Sequence, residues 1–182
     1  MNEVYPIRSK RDITRMKKAL HGRDLLLFII GINTGLRVSD LLKLKVGDVR
    51  GRDFIDITEQ KTTKTKRLHF NSAVKQAIRE LVPSNASDDD WLFPSRKGNR
   101  PITRVQVHRI LNDAAKRAGI LDRVGNIGAH SLRKTFGYHA YKNGVPIETL
   151  MQLFNHSSQS VTLRYIGITA EEVADVYLNM SL

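Results

Sequence analysis

A run of apolar residues from Leu25 to Ile32 constrains the fold more than any other part of the sequence. Because residues 23–34 are nearly all apolar, they predict a helix that is buried on every side. Gly35 follows the run and suits the left-handed turn with which many helices end. A bilayer needs about 20 consecutive apolar residues, so this run is too short to cross a membrane. The sequence therefore favours a globular domain with a buried helix.

The rest of the pattern predicts a mainly α-helical chain with one small antiparallel β-sheet, an α+β fold. Ser9, Asn71 and Thr103 are predicted helix caps, because each precedes apolar residues at helical spacing. Residues 53–58 and 66–70 alternate between polar and apolar, which predicts a hairpin with a Thr/Lys-rich turn. Helices are predicted over 8–20, 23–34, from Ser39, from Ser72, from Thr103, over 130–143, from Pro146 to near Asn155, from Ser157 through Tyr165, and from Thr169.

Composition limits the class of protein and its partners. The 182 residues suit one domain, and an apolar content of 41% predicts that the chain folds. Lys and Arg outnumber Asp and Glu by 30 to 18, a net charge of +12 that favours a polyanionic partner, either nucleic acid or an anionic membrane. The absence of cysteine excludes disulfides, thiolate metal sites and cysteine nucleophiles. No signal peptide is visible at the start, so a cytoplasmic protein is the simplest interpretation.

Three short motifs contain the residues that could take part in catalysis. One runs from Gly35 to Asp40, one is His130-Ser131-Leu132-Arg133, and one begins at His156 and is followed nine residues later by Tyr165. Two guanidiniums can hold the non-bridging oxygens of a phosphodiester at any physiological pH. A phenol can attack the phosphorus when nearby cations or a general base favour phenolate. These candidates are Arg37, His130, Arg133, His156 and Tyr165, which together could break a phosphodiester without a metal or another cofactor.

At these spacings the chain resembles the catalytic domain of tyrosine recombinases, the phage-integrase family of site-specific DNA recombinases. The resemblance covers roughly residues 8–180 and implies the fold of that catalytic domain. It implies that Tyr165 attacks DNA, forms a 3′-phosphotyrosine link and frees a 5′-hydroxyl without ATP. It also implies that Arg37 and Arg133 hold the phosphate, His130 handles a proton, His156 bonds a phosphate oxygen, Asp40 orients other groups, and Lys61 protonates the leaving oxygen, with Lys64 and Lys66 as competing lysines.

Double-stranded DNA is the partner that this resemblance implies, with strongly salt-dependent binding. The candidate contacts lie on the hairpin and at the start of a helix that follows the basic loop of residues 95–100. A plain charged hairpin and an ordinary helix start are the alternatives. The DNA-binding candidates are Lys64, Lys66, Arg67, Arg104 and Gln106.

The resemblance is incomplete at the N-terminus and in one motif. Most family members carry a helical core-binding domain before the catalytic domain, whereas few residues precede the first helix here. Residues 1–182 are therefore expected to be a single catalytic domain, either excised or a minimal bacterial or phage-encoded family member. The tail of residues 169–182 is expected to dock on a neighbouring protomer of a tetrameric synapse or to pack on its own domain, and a monomer is expected without DNA. Asn155 replaces a common glycine, and we expect it to adopt the same left-handed conformation.

Two other functions and one other site stay open at the level of sequence. Residues 144–163 resemble a helix-turn-helix, which would suit a DNA-binding regulator with a vestigial site. A type IB topoisomerase would share the chemistry, but the short chain disfavours it. Asp88-Asp89-Asp90 could suggest a metal site, although a solvated turn is the simpler interpretation. A regulator does not need the complete set of polar residues, so we favour the enzyme.

Overall fold

The predicted hairpin and the predicted helices before residue 168 are present with small shifts at their ends, and the helix predicted from Thr169 lies largely outside the described residues. The computed structural model describes residues 4–58 and 65–168, together with Glu172 and Leu178. This part of the chain contains ten helices and a two-stranded sheet, which confirms the α+β class. In chain order they are α1 (Lys10–Ala19), α2 (Gly22–Thr34), α3 (Val38–Leu41), α4 (Val46–Val49), β1 (Phe54–Thr58), β2 (Thr65–His69), α5 (Ser72–Leu81), α6 (Arg104–Arg117), α7 (Leu121–Val124), α8 (Ala129–Lys142), α9 (Ile147–Phe154) and α10 (Gln159–Ile166).

Side-chain caps begin several helices where the sequence predicted them. The side chains of Ser9, Asn71 and Thr103 each accept a hydrogen bond from a backbone N–H three residues later. The helix predicted from Ser157 begins two residues later, at Gln159, with Ser158 as its N-cap. The hydroxyl of Ser158 accepts from the Val161 N–H, and its extended backbone has the geometry of an N-cap. Helices α4 and α7, of four residues each, were not predicted.

The β-hairpin is antiparallel, with Phe54 opposite His69 and Thr58 opposite Thr65. Ile55, Ile57 and Leu68 point into the core. The turn of residues 59–64 carries Lys61 and Lys64, and it lies outside the described residues. Most of the predicted tail, residues 169–182, also lies outside them. The described Glu172 is paired within its own chain, with Lys142 Nζ at 2.9 Å and Arg8 Nη1 at 3.7 Å.

The apolar helix α2 is buried as predicted, since none of residues 23–34 is exposed. Its neighbours include α5 and α8. The Leu132 side chain of α8 packs directly on Gly31 of α2, where a Cβ would lie 2.6 Å from Leu132 Cδ1. This close approach brings the C-terminal end of α2 beside the first turns of α8, where two of the predicted motifs lie.

A second, smaller hydrophobic cluster holds the C-terminal helices. Leu150 and Phe154 of α9 pack with Ile166 of α10, and Phe136 of α8 and Tyr165 pack against them. Helix α8 therefore contributes to both clusters, with Leu132 in the main core. Within the ranges described above, no helix has the length and apolar character needed to cross a membrane.

Candidate active site

Five of the predicted site residues line one cavity of about 270 Å³. They come from four separate parts of the chain: the start of α3, the beginning of α8, the turn after α9, and α10. The cavity lies where the main core and the second cluster meet. Its lining consists of Arg37, His130, Arg133, Phe154, Asn155, His156 and Tyr165.

A glycine turn at the end of α2 positions Arg37. Gly35 has φ 62° and ψ 19°, and its N–H donates to the Gly31 carbonyl, which closes the helix in a left-handed turn. A Cβ at Gly35 would lie 2.6 Å from Phe136 Cδ1, so a side chain would not fit there even if the conformation were accessible. The chain then turns into α3, with Arg37 as its N-cap residue and a half-buried side chain.

Arg133 is the buried cation of the site, with only 3% of its surface exposed. One terminal nitrogen, Nη1, donates to the Gly35 carbonyl, and Nη2 donates to the Leu153 carbonyl at 3.5 Å. The guanidinium carbon lies 4.6 Å from the centre of the Phe154 ring. Because a buried charge is costly unless it is hydrogen-bonded, these contacts fix the position of Arg133.

His156 follows a left-handed turn at Asn155. Asn155 has φ 56° and ψ 51°, which confirms the conformation that we expected in place of glycine. His156 Nδ1 lies 3.2 Å from Thr162 Oγ1, and that hydroxyl donates to the Ser158 carbonyl at 3.0 Å. Since the hydroxyl has one proton, it accepts from His156 Nδ1–H. Nε2 is then the nitrogen that a neutral His156 presents as an acceptor, and it can donate to an anion only after protonation.

Tyr165, on α10, is surrounded by aromatic rings and cations. Its ring centre is 4.9 Å from that of His156 and 5.5 Å from that of Phe154, both edge-on, and Lys134 Nζ lies 5.5 Å away. Burial raises the pKa of Tyr165, while the charges of Arg133 and Arg37 and a hydrogen bond from Arg133 act in the lowering direction. Burial has the larger effect, so the phenol is protonated at neutral pH.

The two histidines of the cavity have lowered pKa values. Burial is the largest cause for both, and the neighbouring positive charges add to it. For His130 the charge of Arg104 comes next, ahead of Arg133. Both imidazoles are therefore neutral at pH 7 and able to accept a proton.

Among the described residues, the other five predicted ones (Asp40, Lys66, Arg67, Arg104 and Gln106) do not line the cavity. Asp40 is buried in α3. Arg67 Nε and Nη2 donate to the two carboxylate oxygens of Asp56, each at 2.9 Å, and its guanidinium lies over the Phe54 ring. Gln106 accepts from the Thr103 N–H in the capping box of α6. Lys66 lies on β2, Arg104 begins α6, and Lys61 and Lys64 are outside the described residues.

Two residues near the reacting groups were missed in the sequence. Phe154 looked like an ordinary apolar residue at the end of a helix, and Lys134 like a surface lysine next to a motif. Only the position of Phe154, directly before the Asn-His pair, could have indicated its contacts. The described ranges contain no group of three His, Cys, Asp or Glu side chains able to hold a metal ion. Asp88–Asp90 form part of a turn, in which Asp90 accepts from the Ser87 N–H.

Comparison with known proteins identifies the family. Residues 9–172 match the sequence model of the phage integrase family. The chain therefore belongs to the phage integrase family, as its motifs indicated, and the class of enzyme is that of the tyrosine recombinases.

Individual relatives agree with this assignment. The chain is 42% identical to the probable integrase/recombinase YoeC of Bacillus subtilis, over 97% of both chains. It is 34% identical to the tyrosine recombinase XerC of Staphylococcus saprophyticus over 90% of this chain, and there it spans only 54% of the relative. The crystal structure of XerA recombinase shares the fold, with a TM-score of 0.78, 24% identity, and coverage of 99% of this chain and 65% of that one. Other solved structures with this fold include complexes of the Tn1549 transposon integrase with DNA.

Replacing Asn155 tests the left-handed turn before His156. We expect Asn155→Gly to be more stable than Asn155→Ala by about 1 kcal/mol, because both remove the amide and only alanine resists positive φ. The free energy of unfolding in urea measures the difference. Asn143 is a matched control, since it ends α8 at φ −90°. There the Gly and Ala variants should rank in the opposite order, and the same order at both sites would contradict the prediction.

The lowered pKa of His156 predicts a loss of stability in acid. The histidine of the unfolded chain, with its ordinary pKa of 6.5, takes up a proton before the folded one does. Stability should therefore fall as the pH drops below about 6.5. In His156→Gln this contribution is absent, so the free energy of unfolding should fall less steeply between about pH 7 and pH 5. Urea unfolding at each pH measures both slopes, and equal slopes would count against the lowered pKa.

Proposed function

We propose that this chain cuts and rejoins double-stranded DNA in site-specific recombination, with Tyr165 as the nucleophile. The observation that carries the proposal is the cavity in which a tyrosine, two arginines and two histidines from distant parts of the chain meet. The relatives are named as recombinases or integrases, which favours recombination over a regulatory or a topoisomerase function.

The proposed reaction exchanges one phosphodiester for another. Tyr165 Oη attacks the phosphorus, a 3′-phosphotyrosine bond forms, and the bond to the 5′-oxygen breaks. Arg37 and Arg133 hold the non-bridging oxygens, whose charge grows in the transition state. The leaving 5′-oxygen takes a proton, and we propose Lys61 as the donor of that proton. Attack by the freed 5′-hydroxyl of a second strand reverses the step and rejoins the DNA.

Proton transfer from Tyr165 needs a base, because the phenol is protonated in the free protein. His130 lines the same cavity and is neutral at pH 7, so it can accept that proton. His156, once protonated, is proposed to donate from Nε2 to a phosphate oxygen, since Nδ1–H is engaged by Thr162. Asp40 is proposed to orient neighbouring groups from its buried position in α3.

DNA is the proposed partner on grounds of charge and family. A net charge of +12 favours a polyanion, and solved structures with the same fold contain DNA. Because the chain spans about half of the XerC relative, the activity and partners of such longer proteins are proposals here. We propose a catalytic domain that acts in the cytoplasm and assembles as a tetramer on DNA, with the segment after residue 168 reaching a neighbouring protomer. Candidate DNA contacts are Lys64, Lys66, Arg67, Arg104 and Gln106.

Tyr165→Phe tests the reaction class. On a nicked suicide substrate, which loses its short leaving strand, the wild-type chain should form a denaturation-resistant adduct, and the variant should form none. The substrate set would consist of candidate flanking sites and plasmid DNA, and gel electrophoresis after denaturation would detect the adduct. The variant should still bind DNA in a salt-sensitive way, with a dissociation constant within about twofold of the wild-type value. One hydroxyl contributes little to affinity beside many phosphate contacts.

Tyr141→Phe is the matched control for that experiment. Tyr141 packs against the same small cluster, so its variant shares the loss of a hydroxyl in the same surroundings. It should still form the adduct. An adduct with Tyr165→Phe would disprove the assigned nucleophile, and no adduct with the wild type on its true site would favour the regulator.

Lysine variants test the assignment of the general acid. We expect Lys61→Ala to slow adduct formation by about 10²- to 10⁴-fold, and Lys64→Ala and Lys66→Ala to slow it much less. A substrate with sulfur in place of the 5′-bridging oxygen should restore the rate of Lys61→Ala, because a thiolate leaves without a proton. Restoration of a Lys64 or Lys66 variant instead would move the assignment to that lysine.

A further inference from the structure

We propose that Phe154 is a positioning residue for the reaction, and that its ring is the platform on which Arg133 and Tyr165 are held in register. The proposal rests on the function proposed above, since it explains how the reacting groups keep their places. Phe154 is the last residue of α9 and is 1% exposed.

The ring of Phe154 contacts three polar residues of the cavity. The guanidinium carbon of Arg133 lies 4.6 Å from its centre, and the rings of Tyr165 and His156 lie at 5.5 and 5.6 Å. The negative face of an aromatic ring attracts a cation, and this attraction is stronger where water is excluded. An aliphatic side chain could fill the same space, but it would offer the guanidinium no such face.

The surroundings leave the ring little freedom to move. Phe136 packs edge-on against it at 6.5 Å. On the α8 side, a Cβ at Gly137 would lie 2.7 Å from Phe154 Cε2 and 2.6 Å from Ile166 Cγ2, so the absence of a side chain at Gly137 makes room for the ring. The Leu153 carbonyl, one residue earlier, accepts from Arg133 Nη2. The Leu153 carbonyl and the Phe154 ring, from adjacent residues, therefore hold the same Arg133 guanidinium.

Phe154→Leu and Phe154→Met test the platform, because both keep an apolar side chain and remove the π-face. The second variant keeps the test decisive if leucine packs poorly, since methionine adapts to irregular space. Phe93→Leu is the matched control: Phe93 is fully buried in the main core, away from the cavity lining. Thermal unfolding would first establish that each variant is folded under the assay conditions.

Two measurements distinguish positioning from simple packing. The first is the rate of adduct formation on the suicide substrate at saturating protein, together with the affinity for the same DNA. We expect both Phe154 variants to react about 10-fold or more slowly than Phe93→Leu, with affinity nearly unchanged, because small displacements of reacting groups are costly. The second is the NMR signal of the Arg133 Nε–H, assigned by its loss in Arg133→Lys. Ring current should shift it upfield in the wild type and in Phe93→Leu, but not in the Phe154 variants.

The two readouts have separate meanings. Loss of the ring-current shift together with slower reaction supports the platform. Reaction as fast as in Phe93→Leu, or an unchanged Arg133 signal in the Phe154 variants, overturns it. If the wild type forms no adduct on its true site while the shift is present and depends on Phe154, the platform geometry stands and the proposed function fails.

Discussion

The burial of the Arg133 guanidinium is the constraint on which the rest of the site depends. A permanent cation removed from water needs hydrogen bonds at fixed points, and the Gly35 and Leu153 carbonyls provide two of them. The first carbonyl belongs to the end of α2 in the main core, and the second to α9 in the smaller cluster. The cation therefore joins two separately packed parts of the molecule. The left-handed turns at Gly35 and Asn155 close the helices beside these acceptors. A change that moved either helix end would displace Arg133, even without touching the cavity.

Arg37 and Arg133 lower the pKa values of all three other titratable residues that line the cavity. They oppose the effect of burial on the phenol of Tyr165, and they add to it on His130 and His156. The free site consequently holds a protonated phenol beside two neutral imidazoles. A phosphodiester would bring a negative charge between the guanidiniums and weaken their effect on the histidines, so the histidine pKa values should rise on binding. That rise suits both proposed roles, because His130 then retains a proton taken from the phenol and His156 can donate from Nε2.

The parts of this structure that could be predicted from the sequence depend on apolar burial and on interactions between residues close together in the chain. The apolar run of α2 had no stable place except a core, and Ser9, Asn71 and Thr103 cap their helices through contacts only three residues long. The conformation of Asn155 was predictable because few residues tolerate positive φ. The cavity could not be derived in this way. Composition and spacing do not state that Arg37 and Arg133 meet, and the family resemblance supplied that expectation. The contacts of Phe154 were hidden for the same reason, since most of its partners lie on two other helices, α8 and α10, and its own neighbours in sequence indicate only a buried helix end.

Cross-strand pairing makes Arg67 a weaker candidate for DNA binding than Arg104. Arg67 was predicted as a DNA contact from its charge, yet the antiparallel pairing places Asp56 directly opposite, and the two side chains form a two-point ion pair over Phe54. An exposed ion pair contributes little to stability, so a DNA phosphate could replace the carboxylate. That replacement exchanges one anion for another, and the gain per contact is smaller than for a cation that starts in water. Arg104 differs, because its positive charge already acts on His130. A phosphate bound there would change the proton affinity of the site, whereas one bound at Arg67 would mainly orient the hairpin that carries Lys61.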